Sequence, residues 1–237
     1  MRRLASMVAW DIGLQIRSHF YTATALTTAV IVGLIFLIPL DPLPAQFATL
    51  LVFVDPAVVG LTLVGAFVLM EKGANTLSAL GVTPMPAWVY VGAKIISFTL
   101  LGGLSGLIIA VLAMRGGINY PVMLAALTLS NAVAVLIGFA LVTRARSVNG
   151  FIVNIMLTSI VLILPVIAYF DLAPPVVGAL LKLIPTYAML VLIEVGLSQD
   201  ASPVGAIAAM VWLSLWTVAG WFWALRQYHR QLATGGL

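Results

Sequence analysis

The chain has 237 residues, of which 63% are hydrophobic and 8% are charged. A soluble domain carries about 25% charged residues, so there is too little polar surface to face water, and soluble, disordered and collagen-like classes are excluded. The net charge of +4 comes from basic residues spread along the chain, a distribution that argues against a nucleic-acid partner, and the absence of cysteine excludes disulfides, thiolate metal sites and a catalytic thiol.

Residues 1–18 carry Leu4, Met7, Val8, Trp10 and Leu14, mostly three or four apart among basic residues. This spacing predicts a helix lying in the membrane interface; the alternative is a basic tail that only orients the first span. Apolar runs over 20–39, 48–70, 88–113, 120–142, 151–170 and 203–225 follow. Each approaches or exceeds the roughly 20 helical residues a bilayer requires. The first is too long, and its basic leader too extended, for a cleaved signal peptide. A further apolar stretch, 176–197, is interrupted by Lys182, Pro185 and Glu194.

Charge chooses between six spans and seven. With six spans and a cytoplasmic amino terminus, Arg2, Arg3, Arg17, Lys72, Lys94, Arg144, Arg146, Arg226 and Arg230 fall inside, against Arg115 and Lys182 outside. A seventh span would export Arg226 and Arg230 and weaken this positive-inside bias. The predicted fold is therefore an all-α polytopic membrane protein: one transmembrane domain, residues 1–237, multi-pass in the plasma membrane with both termini cytoplasmic. It has six transmembrane helices, an N-terminal interfacial helix and, over 172–200, an outer re-entrant hairpin bent near Pro185 before the last span.

Asp55 is the most unusual residue within an apolar run. A carboxylate at the bilayer centre costs about 2.5–3.5 kcal/mol, which about a dozen surrounding apolar residues offset. Asp55-Pro56 also reads as a helix start, and a helix running from there to Met70 would rise only about 22 Å. A break or kink is expected near Asp55, which either caps a helix or faces a translocation path. Asn131, Asn154, Thr158 and Ser159 are further polar residues in spans. Asn154, Thr158 and Ser159 fall within about one helical turn and can share a face, suited either to bonding neighbouring helices or to receiving an amphipathic substrate. Gly103-Leu104-Ser105-Gly106 resembles the nucleophile motif of rhomboid proteases. That chemistry needs a buried histidine base, whereas His19 and His229 flank the apolar runs, and close helix packing explains the motif better.

No lysine follows a glycine, so the chain carries no Gly-Lys-Ser/Thr phosphate loop; any ATP must be handled by another subunit. The segment 71–87 opens with a helix-forming run, Glu71 to Leu80, and closes with Gly81, Thr83-Pro84 and Pro86 as stops. The run Glu71-Lys72, Thr76-Leu77, Leu80, Thr83-Pro84, followed by Tyr90 and Lys94, resembles the permease subunits of ABC-2-type exporters. The resemblance covers most of the chain, including the amphipathic start, the six spans and the Leu183-Ile184-Pro185-Thr186 stretch of the outer hairpin. It is nearest to fluoroquinolone exporters, from which Gly73, Asn75 and Ser78 depart. The resemblance implies that Glu71, Lys72, Thr76, Leu77, Leu80, Thr83 and Pro84 form a coupling segment docking on an ATP-binding subunit. It also implies a second permease subunit, identical or related; within such an assembly Asp55, Asn154, Thr158 and Ser159, singled out above by their place in the spans, are the path candidates for a lipophilic or amphipathic small molecule such as a drug. On this reading the chain is no enzyme and holds no cofactor, ATP and magnesium residing in the partner. The alternatives are an ion-coupled secondary transporter using Asp55, and a lipid or heme exporter permease of the same superfamily.

Overall fold

The computed structural model describes residues 2–37, 43–74, 86–145, 147–198 and 203–233, and among them there are helices and short connections but no strand. Helix α1 (Arg2–Arg17) turns through His19, which holds a left-handed φ of 61°, into α2 (Phe20–Leu37). Buried Thr24, Thr28, Ile31 and Ile35 recur along one stripe of α2. The two threonine hydroxyls donate back to the carbonyls of Phe20 and Thr24 at 3.0 and 2.9 Å, so neither is left unbonded in an apolar setting.

The second span runs from Ala45 to Gly73. It is α-helical over α3 (Ala45–Asp55), π-helical over Pro56–Leu63 and α-helical again over α4 (Val64–Gly73). Pro56 has no N–H and its ring crowds the carbonyl one turn back; widening the helix to the π form accommodates both defects without ending it. The expected disruption at Asp55 is present, but the helix starts ten residues earlier, at Ala45, and Asp55 makes no capping bond. Asp55-Pro56 widens a continuous span instead of opening one.

Helices α5 (Ala87–Met114) and α6 (Tyr120–Arg144) form the third and fourth spans. The centre of the bundle is α6, which packs on α4, the π segment, α5 and the later helices over Pro185–Leu197 and Pro203–Ala233. Close approach there depends on glycine. A Cβ at Gly138 would lie 2.5 Å from the Leu61 carbonyl oxygen and 2.9 Å from that of Gly60, and one at Gly60 would lie 2.6 Å from the Ala134 Cβ. The π segment and α6 thus meet backbone to backbone.

The fifth span joins α7 (Val148–Ile163) to α8 (Pro165–Tyr169), and Ser147 caps its start by accepting from the Gly150 N–H at 3.1 Å. The hairpin follows as α9 (Pro175–Leu181) and α10 (Pro185–Leu197), bent 86° from one another at Leu181–Pro185. The end of α10 returns to the start of α6, where the Asn119 N–H donates to the Gly196 carbonyl at 2.9 Å. Its beginning lies deep, with Thr186 and Met189 beside Phe53 and Pro56. The pair is sharply bent, with Pro185 at the bend as the sequence predicts. Helix α11 (Pro203–Ala233) is the sixth span and continues eight residues past the expected 225.

Candidate functional site

Glu71 closes α4, while Tyr90 and Lys94 open α5, so the two sides of the 75–85 segment face each other across one helix pair. The Lys94 Nζ lies 2.7 Å from Asp11 Oδ1 and 2.7 Å from Glu71 Oε1. The Tyr90 hydroxyl donates to Glu71 Oε2 at 2.6 Å. The ammonium also sits 4.3 Å from the Phe67 ring centroid and 4.8 Å from that of Tyr90, within cation–π range. Asp11, Glu71, Tyr90 and Lys94 are all 2% exposed or less. Two carboxylates meet one ammonium, so the cluster holds a negative excess. Burial pushes the Asp11 carboxyl up to about 6, with Lys94 pulling the other way, and its Oδ2 has no hydrogen-bond partner.

Around this cluster, Gln15 Nε2 donates to Ser97 Oγ at 2.9 Å, and Tyr90 stacks on Tyr228 with centroids 4.9 Å apart. Lys72 Nζ donates to the Val142 carbonyl at 3.1 Å. Glu71 and Lys72 are therefore bonded within the chain, Glu71 to α5 and Lys72 to α6. Thr76, Leu77, Leu80, Thr83 and Pro84 lie outside the described residues. The buried side of α1 includes Asp11 and Gln15, while Trp10 is 63% exposed. Reading α1 by its apolar residues alone misses Asp11, whose signal is a lone acidic residue in an otherwise basic helix.

A second polar group lies deeper. Asp55 is buried and accepts a hydrogen bond from the Ser105 hydroxyl on α5, whereas its Oδ2 has no partner. Small residues make this contact possible: a Cβ at Gly106 would lie 3.4 Å from Asp55 Oδ2, and one at Gly102 would collide with Asn131 Oδ1. Asn131 Nδ2 donates to the Leu127 carbonyl of its own helix at 2.9 Å. Ser105 is thus a packing and hydrogen-bonding residue of a Gly-x-x-x-Gly face, and its hydroxyl is bonded to a carboxylate, not a histidine.

Helix α7 stands apart from the bundle, packing on α6 and only lightly on α10. Two cavities open along its seam with the second span. The lower, about 490 Å³, is lined by Thr62, Ala66, Leu69, Met70, Phe151 and Ile155, among others. The upper, about 110 Å³, is lined by Phe53, Pro56, Ala57, Leu61, Ser159 and Thr186, among others. Asn154, Thr158 and Ser159 are all half-buried on α7, yet only Ser159 of the three lines the upper cavity. The structure does not bring Asp55 to them: its carboxylate faces Ser105 of α5.

The model of the Fluoroquinolones export permease protein family matches residues 2–234. Two curated relatives, fluoroquinolones export permease proteins from two strains of Mycobacterium tuberculosis, are each 29% identical over 204 residues, covering 84% of this chain and 83% of theirs. No solved structure matches.

Proposed function

We propose that the chain, which belongs to the fluoroquinolones export permease protein family, is the membrane-spanning subunit of an ATP-driven exporter of the ABC-2 type. It would carry a lipophilic or amphipathic drug across the plasma membrane while a separate subunit hydrolyses ATP. Two such permeases would pair, each engaging one ATP-binding subunit on the cytoplasmic side, where both termini would lie.

The observation that carries this reading is the Asp11–Lys94–Glu71 cluster. Residues 75–85 leave α4 just after Glu71 and enter α5 just before Tyr90 and Lys94, and the cluster binds both flanks to α1. A displacement of either flank of that segment is therefore shared among α1, α4 and α5. Removing one partner of such a buried pair costs about 3–5 kcal/mol, so the cluster holds the three helices to one another. Docking of the ATP-binding subunit would then fall to residues within 75–85, since Glu71 and Lys72 are already bonded internally.

A second reading is favoured by one observation: Asp55 keeps one carboxylate oxygen without a partner inside a span, as an ion-coupled secondary transporter would require. The deciding experiment is efflux of a fluoroquinolone from cells expressing the permease with its candidate ATP-binding subunit. The exporter reading expects efflux to stop when that subunit's phosphate loop is inactivated and to persist when ion gradients are collapsed. The reverse pattern, together with loss of efflux in Asp55→Asn, would establish the ion-coupled reading. Transport of lipid or heme in place of the drug would keep the mechanism and change the cargo.

A further inference from the structure

We propose that the buried N terminus of the re-entrant helix α10 is a binding subsite for a carboxylate group on an amphipathic substrate, with Thr186 as its donor. Thr186 lies 4% exposed, its hydroxyl has no hydrogen-bond partner, and it lines the upper cavity between α7 and the π segment. A hydroxyl buried in apolar surroundings without a partner costs on the order of 1–3 kcal/mol, and a ligand oxygen in the cavity removes that cost.

The helix supplies the sign of the charge. Helix α10 has thirteen residues and no side-chain cap at its start, and its first residue, Pro185, has no N–H. No acidic residue stands in the first turn of α10, so the positive end of the helix dipole beside Thr186 favours a negative oxygen. The lining includes no basic side chain; Ser159 of α7 is its other hydroxyl. One hydroxyl donor at a helix terminus suits a single carboxylate and is too sparse for a phosphate. Phe53, Pro56, Leu61 and Met189 complete an apolar wall.

Size fixes how the molecule would lie. At about 110 Å³ the upper cavity admits only the acidic end of a drug-sized compound, since whole-ligand pockets run to about 300–1,000 Å³. The lower cavity of about 490 Å³ on the same seam would take the apolar body. Leu61 and Thr62 are consecutive, and Ile155 and Ser159 are one turn apart, so the two cavities follow one another along the same helix pair. The inference deepens the drug-export reading and rests on it for the identity of the molecule.

The test uses the full chain in lipid nanodiscs without ATP, with norfloxacin and its carboxyl methyl ester as probes in equilibrium dialysis. The wild-type chain should bind the acid about tenfold more tightly than the ester, the lower end of what one hydrogen bond to a charged group provides. Thr186→Val should reduce acid binding to the ester's level while leaving the ester unchanged, and Thr186→Ser should restore most of the difference. Ala57→Leu, which fills the cavity from the other wall, should weaken both probes. Equal loss of acid and ester in Thr186→Val, or unchanged acid binding in Thr186→Val or Ala57→Leu, overturns the subsite and leaves drug export standing. A wild-type chain that binds neither probe overturns both.

Discussion

At the scale of the residue, Asp11 decides how the cluster responds to pH. Its carboxyl is raised from 3.8 to about 6, chiefly by burial, despite the nearby Lys94 ammonium. An acid whose folded value is raised binds its proton more tightly when folded, so its contribution is favourable at low pH and is lost as pH rises from about 4 to about 6. The full swing is about 3 kcal/mol for a shift of this size. Thermal unfolding in detergent should show the wild-type chain losing stability across that window, and Asp11→Asn should flatten the curve while Lys94 keeps its bond to Glu71. Lys94→Met should behave oppositely at neutral pH, losing about 3–5 kcal/mol by leaving buried carboxylates uncompensated; a loss under about 1 kcal/mol would show that the cluster is already neutral. None of this was legible in the sequence. Asp11 and Lys94 stand 83 positions apart, and an amphipathic pattern assigns charged residues to water. Glu71, Tyr90 and Lys94 were visible as residues, but their mutual bonding was not, because pairing depends on how α4 and α5 cross.

At the scale of the element, long apolar runs made the six spans readable, since a bilayer imposes a length that composition alone reports. The bend at Pro185 was equally readable, because proline cannot continue a helix from before it. The second span shows the limit of such reading. Asp55-Pro56 has the chemistry of a helix start, yet neighbours on α5 and α6 hold the chain helical on both sides, and the defect becomes a π segment. Gly60 and Gly138 explain what fixes that segment, for they place its carbonyls against α6 where a Cβ would lie 2.5 Å from the Leu61 oxygen. Gly138→Ala must therefore push the backbones of α6 and the π segment apart, and overpacking of this kind costs about 1–3 kcal/mol. Gly103→Ala, on a face of α5 with nothing within 4 Å of an added Cβ, should be neutral or slightly stabilising through better helix propensity. Melting both variants beside the wild-type chain tests the contrast, and equal behaviour would mean that the π segment is free to shift away from α6.

At the scale of the whole molecule, the distribution of contacts says which region can move. One end of the bundle is tied by Lys94 across α1, α4 and α5, the middle by Ser105 on Asp55, and the other end by Asn119 on Gly196. Helix α7 makes none of these links, presents Ile152, Met156, Leu157 and Ile160 outward, and leaves two cavities along its seam. A motion driven from residues 75–85 would carry the tied helices as a block and open or close the seam against α7. The contact that would have to separate is Phe151 on Gly65, where a Cβ added to the glycine would collide with the ring. Because the chain has no cysteine of its own, the double variant Gly65→Cys, Phe151→Cys can be bridged with a short reagent that forms mixed disulfides. Bridging should abolish the efflux of the untreated double variant, and reduction should restore it, while the same reagent should leave each single variant at its own untreated level. Full efflux through a bridged seam would show that α7 travels with the block and that the substrate crosses elsewhere.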